Sequence, residues 1–219
     1  MPTLRPCFSL GWVILLALAD GVLIGLLTAT AALALFTDTF DNTDNAFTTI
    51  ACFTGDSGFK NPTVQAADTG GDGNGFELNP TNAFADASGY ASNIDGPGDR
   101  HRFYNYGFSI ASACAIQGIE VRLDWWLSST FDTNSISVAL SWDGGTSWTA
   151  VKTDTQETTS EHTVVLGSST DTWGRSWTVS ELSDANFRVR ITCNCSGSFC
   201  SYRDYYLDWV PVKVYYQMP

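Results

Sequence analysis

Asp68, Asp72, Asn74 and Glu77 lie within one glycine-rich stretch, Asp68-Thr-Gly-Gly-Asp-Gly-Asn-Gly-Phe-Glu77. Calcium takes several hard oxygens, and glycines let a short loop fold tightly enough to supply them. These residues are therefore candidate ligands of a structural calcium. The spacing is not that of an EF-hand, because the third position is Gly70 and the twelfth is Asn79. The competing reading is a plain Gly/Asp turn. A second acidic set, Asp86, Asp95, Asp99 and Asp208, forms a site only if the fold gathers it.

Catalytic chemistry finds less support. His101 and His162 are the only histidines, and neither has a Cys or His partner at zinc spacing. No G-x-S-x-G elbow is present. Glu120 and Asp124 share a strand face but alternate with Arg122, as on a solvated face. The expectation is a protein that is not an enzyme.

Aromatic chemistry is better supplied. Trp125 and Trp126 are adjacent on a predicted strand and must face opposite sides. One of them leaves the core unless both sheet faces are covered. Both are candidate ligand-binding residues, since exposed aromatic rings stack on sugars or bury against another subunit. Tyr202, Tyr205, Tyr206, Tyr215 and Tyr216 add to the aromatic supply.

Five cysteines follow residue 36: Cys52, Cys114, Cys193, Cys195 and Cys200. One bridge inside the Cys193–Cys200 segment would staple its Ser/Gly loop. A bridge from Cys52 or Cys114 to that loop is the other expected pair. Five is odd, so one thiol stays free or pairs between chains.

The elements that must position these residues are strands. Ile119-Glu-Val-Arg-Leu-Asp-Trp125 alternates apolar and charged residues, as does Phe187-Arg-Val-Arg-Ile191, and Ile136–Leu140 repeats the pattern with small residues. Further strands are expected at Ala46–Cys52, Tyr90–Ile94, Arg102–Ile110, Ser147–Lys152, His162–Leu166 and Trp209–Tyr216, the last with an edge or bulge at Pro211. This spacing predicts a mainly β fold, a two-sheet antiparallel β-sandwich of jelly-roll type.

Two short stretches carry resemblances. Ser141-Trp-Asp-Gly-Gly-Thr-Ser-Trp148 is similar to the Asp-box hairpin, which occurs in sialidases and in many non-enzymes. Leu207-Asp-Trp-Val-Pro-Val212 resembles the closing strand of galactose-binding-like jelly rolls. In those folds the Asp helps to hold a structural calcium, which adds Asp208 to the candidate ligands.

The N-terminal part differs. Gly11–Phe36 is apolar with Asp20 as its only charge. As a helix it would measure about 39 Å, enough to cross a bilayer. Arg5 before it and Asp38 and Asp41 after it orient the remainder outward. A cleaved signal peptide, a retained anchor and a pilin-like fibre helix all fit. Leu35-Phe-Thr-Asp-Thr39, followed by Asn42, Asn45 and Phe47-Thr-Thr49, resembles the start of proteins with a SipW-type signal peptide, the TasA/camelysin group of matrix-fibre proteins. That resemblance implies export from a prokaryotic cell to the surface or beyond, with the membrane a partner only during export, and assembly with copies of itself. Trp12, Asp20, Leu27, Phe36 and Phe40 are the candidate assembly residues. The expected organisation is residues 1–36 as a hydrophobic helix and 37–219 as an extracellular β-sandwich.

Composition narrows the partners. Lys and Arg total 11 against 23 Asp and Glu, for a net charge of −12. A nucleic-acid partner is not expected, because phosphate binding needs clustered cations. Eight Trp, eight Tyr and 13 Phe supply ample core. The leading expectation is a structural subunit of an extracellular fibre or surface layer. The alternative is a carbohydrate-binding or adhesin module with glycans as partners. A hydrolase would rest only on the Asp-box and scattered acids.

Overall fold

The computed structural model describes residues 52–219, apart from Ser88 and Asp95. Trp12, Asp20, Leu27, Phe36 and Phe40, the apolar N-terminal segment and most of the Ala46–Cys52 strand lie outside the described residues.

Two antiparallel sheets face each other. The first contains β1 (Gly55–Asp56), β3 (Ala91–Asn93), β5 (Ala115–Leu127), β8 (His162–Gly167), β10 (Tyr205–Trp209) and β11 (Val212–Gln217). The second contains β2 (Val64–Asp68), β4 (Arg100–Tyr104), β6 (Thr133–Ser141), β7 (Lys152–Asp154) and β9 (Arg188–Ser196). Their spatial orders are β1-β11-β5-β10-β3, with β8 on the other side of β5, and β2-β4-β9-β6-β7. The chain changes sheet at most of its connections, which is the jelly-roll habit. The predicted mainly β, two-sheet antiparallel sandwich is the fold observed.

β5 shows why these residues make this fold. Its inward positions Ile119, Val121, Leu123, Trp125 and Leu127 are all at most 1% exposed. Facing them from β6 and β9 are Ile136, Val138, Leu140, Val189 and Ile191, also fully buried. The period of two thus places one apolar row per strand in the core. Each such side chain contributes about 1.5–3 kcal/mol by leaving water.

Several boundaries differ from expectation. The single closing strand is two strands, because Val210 and Pro211 separate β10 from β11. Proline has no N–H for the ladder, although its carbonyl still accepts from Arg122 N at 3.1 Å. β4 ends at Tyr104 instead of reaching Ile110, and β7 begins only at Lys152. Residues 147–151 belong instead to the Ser141–Trp148 hairpin connection. There the Asp143 carboxylate accepts from the backbone of Thr146 and Ser147 at 3.1 and 2.8 Å. Hydrogen bonds from the Ser147 backbone lead the effects that depress the Asp143 pKa.

The cysteines pair as Cys52–Cys114 and Cys195–Cys200. The second bridge staples the loop as expected. The first corrects the expected link from Cys52 or Cys114 to that loop, since these two bind each other. Cys193 is a buried free thiol. Its inward position on β9 seals it in the core, and burial pushes its pKa well upward.

Candidate functional site

The glycine-rich loop brings Asp72 and Asn74 together, with Glu77 close enough to feel the Asp72 charge, and turns Asp68 elsewhere. Asp68 ends β2 and points across the outer face of the second sheet, towards Arg102 at 3.9 Å and Arg190 at 3.8 Å. Asp72 closes its own turn by accepting from Asn74 N and Nδ2 at 3.0 and 2.9 Å. Glu77 accepts from Ile94 N at 2.8 Å. Asp208 stands on β10 in the other sheet. The organising carboxylate is Asp99, which is 1% exposed and accepts from Asp72 N at 2.7 Å and Asn93 Nδ2 at 3.0 Å. Gly71 abuts it so closely that a Cβ there would lie 1.9 Å from Asp99 Oδ1. The loop glycines thus serve close packing around a buried acid. Among the described residues, the one group of three His, Cys, Asp or Glu donors within 4.8 Å of one another is Asp132, Cys195 and Cys200. Its two sulfurs are joined in a disulfide.

The tryptophan pair divides. Trp125 is 0% exposed, donates Nε1 to Asp154 Oδ2 at 2.9 Å and stacks parallel to Tyr205 with centroids 6.3 Å apart. A side chain with no exposed surface offers nothing to a ligand, so Trp125 is a core residue. Trp126 faces outward. Its cross-strand partner on β10 is Tyr206, with ring centroids 5.4 Å apart. Tyr90 stands against both, at 5.0 and 5.1 Å. These three rings form one half-exposed cluster on the outer face of the first sheet.

β5 and β10 run from that cluster into two loops at the same end of the sandwich. Ser128 N donates to Asp204 O at 3.1 Å, and Asp204 N donates to Ser128 Oγ at 3.0 Å, locking the two loops together at their bases. Beyond this link a shallow, half-open depression is lined by Ser129, Phe131, Phe199, Tyr202 and Arg203. Phe131, Phe199 and Tyr202 are 72, 59 and 74% exposed, the highest values among the large apolar residues described.

Polar contacts hold these apolar side chains in place. Asp132 accepts from the backbone of Ser198 at 3.2 Å and of Phe199 at 2.7 Å, tying one loop to the other. Gly197 sits where a Cβ would collide with Asp132 Oδ1 at 2.1 Å. The Cys195–Cys200 bridge closes the loop that carries Phe199. Arg203 forms the floor. It is 1% exposed and donates to Phe131 O at 2.7 Å, to Asn134 Oδ1 at 3.2 Å and to Ser129 Oγ. Glu157 in turn accepts from Asn134 N and Nδ2 at 2.8 and 3.2 Å.

Beside the aromatic cluster lies an acidic group. Asp208 falls at the bulge where the β10–β5 register shifts between Leu207 and Trp209. It is 4% exposed and its Oδ1 is buried without a hydrogen bond. Burial, followed by repulsion from Glu161, Asp86 and Asp124, pushes its pKa up to about 6. A carboxyl group with a raised folded-state pKa weakens the fold when ionised. The penalty is full above the folded value and is relieved as pH falls from about 6 towards the ordinary 3.8. Asp208→Asn is therefore expected to raise stability at neutral pH by roughly 1–3 kcal/mol and to flatten the gain that the wild type shows on acidification to about pH 5. Thermal melts at the two pH values check this.

Trp126, Tyr202 and Tyr206 stand out among the aromatics in the sequence, whereas Tyr90, Phe131, Phe199 and Arg203 do not. Local pattern gives no signal for them, because they meet only after the β5–β10 pairing forms.

No family of known proteins matches the chain, and no curated protein matches it. Among solved structures, the CBM32 of AlyQ in complex with 4,5-unsaturated mannuronic acid overlaps 70% of this chain and 96% of its own, at 16% identity and a TM-score of 0.38. The structure of the infectious bursal disease virus Gt strain overlaps 70% of this chain and 32% of its own, at 11% identity and a TM-score of 0.31.

Proposed function

We propose that the chain is a carbohydrate-binding module that holds a glycan at the aromatic end of the sandwich. The observation that carries this reading is the pocket ringed by Phe131, Phe199 and Tyr202 over Arg203, with the Trp126–Tyr206–Tyr90 cluster continuing from the same two strands. Large apolar rings exposed to water cost free energy, and rigid support for such rings fits a binding surface. A pyranose offers an apolar C–H face for stacking on the exposed rings, while Arg203, sealed beneath them, holds the loop backbone in place. The five pocket-lining residues include no carboxylate pair, so the reading is of binding without turnover. Two disulfides fit an oxidising, extracellular setting. The fibre reading rests on residues outside the described part, and no described residue adds to it.

A glycan array probed with the full chain tests the proposal. Binding to a defined glycan, weakened about tenfold or more by Tyr202→Ala with an unchanged melting temperature, is the expected result. Silence across the array, or binding indifferent to Tyr202→Ala and Trp126→Ala alike, would refute it.

A further inference from the structure

Four of the chain's 11 cationic residues meet on the outer face of the second sheet. Arg100 and Arg102 lie on β4, and Arg188 and Arg190 on β9. Arg102 and Arg190 are direct cross-strand partners, flanked by Ala66 and Ala139. Like charges directly opposite destabilise a sheet. Here they are set together in a protein of net charge −12, where acidic partners are abundant. One carboxylate, Asp68, reaches both, at 3.9 and 3.8 Å, too long for a hydrogen bond.

The guanidinium groups are held in place, and Arg102 and Arg190, 31 and 17% exposed, share the single carboxylate of Asp68. Trp148 places its ring 4.1 Å from the Arg190 guanidinium carbon, and Tyr104 does the same for Arg188 at 4.2 Å. Arg188 is the committed member, donating to the carbonyls of Asp184, Ala185 and Phe187. Arg100 and Arg102 each give one hydrogen bond, to Thr69 O and Ala67 O, both at 3.3 Å. Arg190 has Asp68 as its polar partner, and the Nε atoms of Arg100, Arg102 and Arg190 are buried without a hydrogen bond. The Ser141–Trp148 hairpin overhangs this row, with a Cβ position at Gly145 3.3 Å from Arg102 Nη1.

We infer that this face is an anion-binding surface for an acidic glycan, with Arg102 and Arg190 gripping one carboxylate or sulfate together and Arg100 reaching the next. Guanidinium forks match planar or tetrahedral oxyanions, and aromatic backing orients the fork without neutralising it. The remaining surface is acidic and opposes a densely charged phosphodiester chain. A polysaccharide also carries hydroxyl donors between its charged groups, which carboxylates of the surrounding acidic surface can accept. The surface is on the opposite sheet from the aromatic cluster and does not depend on that site.

Affinity electrophoresis of the full chain in gels containing polygalacturonate, dextran sulfate, neutral dextran or single-stranded DNA tests the inference. Retardation by polygalacturonate or dextran sulfate but not by neutral dextran is expected, weakening with salt and falling about tenfold or more in Arg102→Gln/Arg190→Gln. The stronger of the two polyanions identifies carboxylate or sulfate as the anion. Arg102→Lys/Arg190→Lys keeps the charge without the fork and is expected to fall between. A thermal melt of each variant separates lost binding from lost folding, and Trp126→Ala is expected to leave the retardation intact. Retardation unchanged in a folded double Gln variant, retardation by DNA alone, or none in any gel would overturn the inference.

Discussion

Trp125→Ala is expected to destabilise the domain by about 3–5 kcal/mol, while Trp126→Ala costs only about 1–2 kcal/mol and weakens glycan binding. The two residues are neighbours in sequence and opposites in environment. Trp125 fills the centre of the core, where truncation leaves a cavity that the two facing sheets cannot close. The substitution also strips Asp154 of a hydrogen bond at 2.9 Å, although His162 Nε2 stays 2.8 Å from the same oxygen. Trp126 leans on Tyr206 and Tyr90 from outside the sandwich. Its removal loses the packing of that half-buried ring and takes one ring from the proposed binding surface, but opens no cavity in the core. Thermal melts give the first effect, as a fall of roughly 6–20 °C for a domain of this size. Titration calorimetry with the glycan gives the second. Equal losses of stability in both variants would contradict the division between core and surface.

Arg203→Ala is expected to act on stability and binding together. Arg203 is a buried cation whose three described partners are neutral groups: Phe131 O, Asn134 Oδ1 and Ser129 Oγ. Glu157 lies one link away, through Asn134. Truncation leaves Phe131 O and Asn134 Oδ1 without this donor and opens a void beneath the pocket. Such losses cost about 2–4 kcal/mol. The loop carrying Phe131 also loses its anchor, so glycan affinity falls with the melting temperature. Arg203→Lys is expected to recover only part of either, because one ammonium cannot span three separated acceptors. Tyr202→Ala supplies the contrast, as it removes an exposed ring without touching the network. Denaturant unfolding and calorimetry on all three variants distinguish the cases. A stable Arg203→Ala with full affinity would show that the floor does not position the loop.

Much of the sandwich was legible because burial writes itself into alternation. Ile119 to Trp125 and Phe187 to Ile191 read as half-buried strands and are so. Trp209 to Tyr216 looks like one strand because its apolar residues are continuous, and the break comes from backbone chemistry at Pro211. The acidic loop is less legible for a related reason. Composition shows that Asp68, Asp72 and Glu77 are near in sequence, but not that Asp68 turns to arginines while Asp72 and Glu77 cap backbone. Asp99, which organises the loop, is 27 residues away from Asp72. The arginine row was hidden in the same way. Arg100 and Arg102 on one strand, and Arg188 and Arg190 on another, look like ordinary outward positions until the β4–β9 register sets them side by side.

The most direct test of the carbohydrate-binding account is an amide chemical-shift titration of the nitrogen-labelled protein with the tightest glycan from the array. Shifts concentrated at Trp126, Phe131, Phe199, Tyr202, Arg203 and Tyr206 are expected, along with the indole N–H of Trp126 and not that of Trp125. Saturable shifts confined to other surfaces, with these residues still, would contradict the account.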